Sequence, residues 1–93
     1  MQTLYVKTHK TLGYPTHYEV VEHNGRKFRI YYHYDGTHCS GFNSNCCVSV
    51  MTKDGDFSYL ADNWQLGYKP DWASESSIPE VVALFKDYIM QIY

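Results

Sequence analysis

From His17 to Tyr34 the chain reads as two runs rich in Val, Ile, Phe and Tyr, divided by Asn24-Gly25. Asn-Gly is the strongest short hairpin signal, because a type I′ turn needs positive φ at both central residues. A turn at that point pairs His23 with Arg26, Glu22 with Lys27, Val21 with Phe28, Val20 with Arg29, Glu19 with Ile30 and Tyr18 with Tyr31. Side chains alternate between the two faces of a strand. One face then carries Val21, Phe28, Ile30 and Tyr32. The other carries Glu22, Lys27, Val20, Arg29, Tyr18 and Tyr31. That second face mixes charge with aromatic rings and is expected to meet water or a partner.

Thr3 to Thr8 alternates as well, with Leu4 and Val6 on one side and Tyr5 and Lys7 on the other, which predicts a half-buried first strand. Gly13 and Pro15 predict a loop over 9–16. Asp35-Gly36 ends the second hairpin strand, and the polar stretch Thr37 to Asn45 predicts a long loop that could serve as a binding element. Cys46 to Thr52 and Phe57 to Asp62 form the next pair of runs, joined through Asp54-Gly55, a second turn signal. A regular ladder there sets Val50 against Tyr59 and Val48 against Ala61, with Thr52 and Phe57 beside them. Cys47, Ser49, Met51, Ser58 and Leu60 fall on the opposite side.

Asn63 to Ser76 has no period, and Gly67 and Pro70 break any regular element through it. Ser77 to Ile92 is the one clear helical pattern. Ile78, Val81, Val82, Phe85, Tyr88, Ile89 and Ile92 recur at helical spacing as a broad apolar stripe. Ser77 and Glu80 stand in the order of a capping box, and Pro79 falls in the first turn, where its missing N–H is harmless. Such a stripe needs a sheet to cover.

The pattern predicts one α+β domain over 1–93: a five-stranded, mostly antiparallel meander with the C-terminal helix packed on one face. The sheet falls within 1–62, an irregular Trp/Tyr loop covers 63–76, and the helix spans 77–92. Strands are expected near 3–8, 17–23, 26–34, 46–52 and 57–62. The expected core is Val21, Phe28, Ile30, Val48, Val50, Tyr59, Val82, Phe85 and Ile89.

Composition narrows this picture. With 44% apolar and 19% charged residues the chain belongs with globular domains. No run approaches the length of a membrane helix, and Met1 opens no signal-peptide pattern. Three cysteines, an odd number, fit reduced thiols in a cytosol better than a disulfide framework. These features predict a cytoplasmic protein, complete as it stands, resident in a host cytoplasm if phage-encoded. Net charge is −2 but split along the chain. Lys7, Lys10, Arg26, Lys27 and Arg29 outweigh Glu19 and Glu22 before residue 34. Asp54, Asp56, Asp62, Asp71, Glu75, Glu80 and Asp87 outweigh Lys69 and Lys86 after residue 53. Ten tyrosines and two tryptophans are many for 93 residues. They serve either to fill a thin core or to build a binding face.

Candidate chemistry adds little. His33, His38, Cys39, Cys46 and Cys47 are zinc-type ligands in one stretch, but they lack C-x2-C or H-x3-H spacing. The expectation is no metal and no cofactor. Cys39 beside His38, with Asp35 near, has the residue types of a thiol–imidazole pair, yet such partners usually come from distant segments. There is no nucleophile elbow, phosphate loop or dinucleotide fingerprint, so no enzyme is expected. The leading expectation is a small protein-binding module. By analogy of size and composition alone, it could be a phage-type inhibitor that blocks a host defence nuclease such as a CRISPR effector. Its expected contact surface is Asp62, Trp64, Tyr68, Asp71, Trp72 and Glu75, an aromatic loop with an acidic rim suited to a basic protein surface. The alternative face is Tyr18, Lys27, Arg29 and Tyr31, where rings and cations would suit a nucleic acid.

Overall fold

The computed structural model describes residues 1–11, 14–33, 46–68 and 77–93. Five strands form one antiparallel sheet in chain order: β1 (Gln2–Thr11), β2 (Tyr14–His23), β3 (Arg26–His33), β4 (Cys47–Met51) and β5 (Phe57–Asp62). One helix, α1 (Ile78–Ile92), packs on one face of this meander, giving an α+β fold.

The hairpin follows from its turn. Asn24 and Gly25 have φ of 51° and 78°, the two positive values a type I′ turn requires. The β2–β3 ladder runs from His23↔Arg26 outward through Tyr18↔Tyr31, pair for pair as the turn dictates. Val21, Phe28, Ile30 and Tyr32 are buried together on one side. The turn is also held from outside. Asn24 Nδ2 donates to the Tyr93 carbonyl oxygen at 2.7 Å, and the Tyr93 ring meets Phe28 edge-on at 5.0 Å.

Helix and sheet share one core, in which Val81, Phe85 and Ile89 join Val21, Phe28, Ile30 and Val48 at essentially zero exposure. Val82 and Val50, expected in that core, are half-buried at its margin, and Ile92 is exposed. The capping box does not form. Ser77 has helical φ and ψ and makes no side-chain cap. Its hydroxyl instead meets the buried Tyr32 hydroxyl at 2.7 Å, and Glu80 accepts a short hydrogen bond from Tyr68. A buried phenol needs a hydrogen-bond partner, and the Ser77 hydroxyl supplies it. Pro79 keeps its place in the first turn.

Three further expectations are corrected. The loop at 9–16 is instead the end of a longer hairpin: β1 runs to Thr11 and β2 begins at Tyr14. Pro15 pairs with Lys10, one position beyond the last β2–β3 pair, Thr16↔His33, so its missing N–H is not needed by β3. Second, β1 is not half-buried. Every residue from Gln2 to Lys10 is exposed, because α1 lies over β2 and β3. Third, a bulge interrupts β4–β5 after Val48↔Ala61, and the ladder resumes at Ser49↔Tyr59, Val50↔Ser58 and Met51↔Phe57. One extra residue reverses the sides that follow it. Leu60 packs against the core, while Tyr59 is 54% exposed and Phe57 lies under Arg29 on the other face. The polar segment Thr37 to Asn45 lies outside the described residues.

Phe85→Ala should destabilise the fold by about 3–5 kcal/mol, the usual effect of emptying a large buried aromatic site. Tyr59→Ala should change stability by less than about 1 kcal/mol, as an exposed side chain does. Urea denaturation of the two variants checks both values.

Candidate functional site

The two faces of the sheet differ sharply. One is covered by α1. On the other, among the described residues, no element packs. Alternation along β1, β2 and β3 brings Tyr5, Tyr18 and Tyr31 into a row across three strands. Tyr5 and Tyr18 meet edge-to-face at 5.8 Å, and Tyr18 and Tyr31 at 6.4 Å. Such T-shaped contacts fix the rings relative to one another. Together with Lys7, His9, Thr16 and Val20 they line an open concavity of about 630 Å3.

Cations flank this row. Arg29, opposite Val20, lies with its guanidinium 4.9 Å from the centre of the Phe57 ring. Its Nε is buried and has no acceptor among the described residues. Lys7, Lys27 and Arg29 make no ion pair among the described residues. Cys47, next to Tyr31 in the ladder, is half-buried. Burial pushes its thiol up against the pull of Arg29, so it stays protonated at neutral pH and is a poor nucleophile. The expected alternative face of Tyr18, Lys27, Arg29 and Tyr31 is therefore one assembled surface. Tyr5, Lys7 and His9 on β1 extend it. Their alternation was visible in the sequence, but only the β1–β2 pairing shows that it joins the same row.

The aromatic loop is assembled differently. Asn63 is fully buried and ties the turn together: its N–H donates to the Cys46 carbonyl at 3.1 Å and its Nδ2 to the Tyr68 carbonyl at 2.9 Å. Asp62 accepts from the Gln65 N–H at 2.8 Å, while Gln65 Oε1 accepts from the Asp62 N–H and the Tyr59 hydroxyl. Tyr68 is half-buried, and burial together with its Glu80 hydrogen bond pushes its hydroxyl up to about 12. Trp64 stands 43% exposed. Asp71, Trp72 and Glu75 lie outside the described residues, as do Asp35, His38 and Cys39 of the metal and thiol readings. Cys46 is buried.

Sequence reasoning missed a polar cluster on the covered face. Glu19 is 5% exposed and His17 6%. Lys86 Nζ of α1 lies 2.7 Å from Glu19 Oε2. His17 Nε2 lies 3.0 Å from Glu19 Oε1, and Thr8 Oγ1 lies 2.7 Å from His17 Nδ1. With Nε2–H donating to the carboxylate, a neutral ring accepts from Thr8 at Nδ1. The order hydroxyl, imidazole, carboxylate resembles that of a nucleophilic triad. The large concavity, however, lies on the opposite side of the sheet, and Lys86 already neutralises the carboxylate. The cluster reads as a half-buried ion pair anchoring α1 to β2. The only signal for it was Glu19 and His17 falling in register with Val21.

Comparisons with protein-family models, with curated proteins and with solved structures find no match to this chain. The fold and this face define it as a one-helix, five-stranded α+β domain with an open aromatic sheet face. Among the described residues no helix is long and apolar enough to cross a membrane.

Burial pushes the Glu19 carboxyl up, but the hydrogen bonds from Lys86 and His17 outweigh burial and hold it below its ordinary value of 4.5. Stability from the ionised carboxylate is complete above that value and is lost as pH falls through the lower folded one. Thermal melts between about pH 5 and 3 should therefore show a steeper loss for the parent than for Glu19→Gln.

Proposed function

We propose that the protein is a non-enzymatic binding module that grips a protein partner with its open sheet face. The observation that carries this reading is the row Tyr5–Tyr18–Tyr31, which no element among the described residues covers, beside Arg29, whose buried Nε meets no acceptor among the described residues. Tyrosine and arginine are the residue types that anchor protein interfaces, since each brings a large contact area and a polar handle. Lys7, Lys27 and Arg29 select an acidic surface on the partner and speed encounter with it. A partner carboxylate placed over Arg29 would supply an acceptor for that Nε.

An inhibitor of a nuclease with a basic groove would need the acidic rim instead. Of that rim, Asp62 alone lies among the described residues, and its carboxylate is turned to the Gln65 amide. The open face thus supports an acidic partner better than a basic one. A second reading has its own support: rings and cations on one face also suit single-stranded nucleic acid, with bases stacked on tyrosines and phosphates on lysines.

The test is capture of partners on the immobilised protein from a lysate, with and without nuclease treatment, followed by titration of the captured species. A protein partner survives nuclease, and Tyr18→Ser weakens it by about 2 kcal/mol or more, roughly 30-fold, with an unchanged circular dichroism spectrum. A partner lost to nuclease, with log K falling linearly in log salt, supports the nucleic-acid reading instead. Loss of binding with Trp64→Ala but not with Tyr18→Ser would move the contact to the 62–68 turn.

A further inference from the structure

Beyond its bulge at Leu4, β1 alternates Tyr5, Lys7 and His9 onto the open side, in register with Val20, Tyr18 and Thr16 of β2. The concavity on that side is thus built in ranks, with successive ranks about 7 Å apart along the strands. Its two ends differ. At one end Val20 is a short side chain beside the Tyr5 ring, with the Tyr18 ring one rank on, so the dent above it is walled by aromatic rings. Arg29, across Val20, turns its guanidinium to Phe57 and does not line the concavity. Toward the other end stand Lys7 and His9, both exposed and both able to donate an N–H.

No carboxylate lines the concavity. Glu22 stands one rank beyond Val20, opposite Lys27, at the ring-walled end. Asp62 shares a rank with Tyr31 but lies two strands away from it. An anion is therefore drawn toward Lys7 and His9 and kept from the Val20 end.

We propose that the concavity takes a short extended segment of the partner in which an aromatic residue stands two positions from an aspartate or glutamate. This occupant rests on the open face being a protein-binding surface, and it names the chemistry that surface selects. Side chains two apart in an extended chain point the same way and lie about 7 Å apart, which is the step from the Val20 rank to the Lys7 rank. The ring settles on Val20 against Tyr5, where edge and face contacts with tyrosines add to its burial. The carboxylate then reaches Lys7, with the His9 N–H one rank further on. In the reverse direction the carboxylate would sit among rings with no cation lining that end. At about 630 Å3 the concavity has room for both side chains.

The test is titration of the isotopically labelled full chain with the blocked peptide Gly-Trp-Gly-Glu-Gly, followed by amide shifts in NMR spectra. Binding is expected with a Kd of about 1 mM and the largest shifts at Lys7, Tyr18 and Val20. Lys7→Glu should weaken this peptide about fivefold and come to prefer Gly-Trp-Gly-Lys-Gly. Val20→Phe fills the dent and should abolish binding of either peptide. Both variants should keep the parent circular dichroism spectrum, and should Val20→Phe fail to fold, the charge exchange at the exposed Lys7 decides alone. No shift at about 10 mM peptide, equal affinity of the parent for the two peptides, or shifts centred on Trp64 would overturn the proposal. Tighter binding of adenosine monophosphate at the same residues would overturn it too, with a nucleotide as the better occupant. A captured partner that is weakened by Lys7→Glu and displaced by excess Gly-Trp-Gly-Glu-Gly supports the proposal. One weakened by Tyr18→Ser but indifferent to Lys7→Glu and to the peptide keeps the protein-binding reading and overturns this occupant. One indifferent to Tyr18→Ser overturns both.

Discussion

A single helix has to cover a five-stranded sheet, and it is too small to do so. Fifteen residues make a rod about 22 Å long and about 10 Å across. Five strands at about 4.8 Å spacing make a sheet of about 20 Å or more in width. The helix therefore seats on β2 and β3, where Val81, Phe85 and Ile89 share one core with Val21, Phe28, Ile30 and Val48. β1, beyond that footprint, keeps its contact with water. The exposure of β1 follows from this one shortage of cover, and the tyrosine row proposed to bind a partner lies on the face that no described element covers.

The hairpin decides which residues receive the cover. With Asn24 and Gly25 both at positive φ, the register of β2 on β3 follows without further choice. A slip of one residue would exchange Val21, Phe28, Ile30 and Tyr32 for Val20, Lys27, Arg29 and Tyr31 beneath the helix. Contacts from Tyr93 reinforce the same register from the far end of the chain: its carbonyl takes the Asn24 amide, its ring meets Phe28, and Arg26 stacks on it at 5.1 Å. Local turn chemistry and long-range packing agree at this point, which is the consistency expected of a sequence that specifies one fold.

Much of the architecture was legible because it depends on short-range rules. The turn, the faces of β2 and β3, the limits of β5 and the stripe on α1 all follow from neighbours within four residues. The errors share another origin. The β4–β5 bulge extends no local pattern, since Leu60 reads as an ordinary alternating position, and it alone moved Tyr59 out of the core and Phe57 to the open face. The capping box failed because Tyr32, 45 positions away, took the Ser77 hydroxyl. Glu19 and His17 sit at core-facing positions, yet no local rule places Lys86 against them. Of the candidate site, Tyr18, Lys27, Arg29 and Tyr31 were readable from the hairpin. Tyr5 and Lys7 were not, because joining them to the row requires the pairing of β1 on β2.

How the charges are distributed explains why the open face is cationic in a chain whose net charge is negative. Glu19 is drawn under the helix by Lys86 and His17. Glu80 is engaged by Tyr68, and Asp62 by the Gln65 amide. Glu19 and Glu80 thus answer partners within the fold, while Asp62, in register with Cys47 and through it with Tyr31, stays on the open side. Among the described residues Lys7, Lys27 and Arg29 make no ion pair, and Arg29 stacks on Phe57. Glu22, opposite Lys27, and Asp62 remain on the open side with Lys7, Lys27 and Arg29, and it is this local field, set beside fixed aromatic rings, that a partner would meet first.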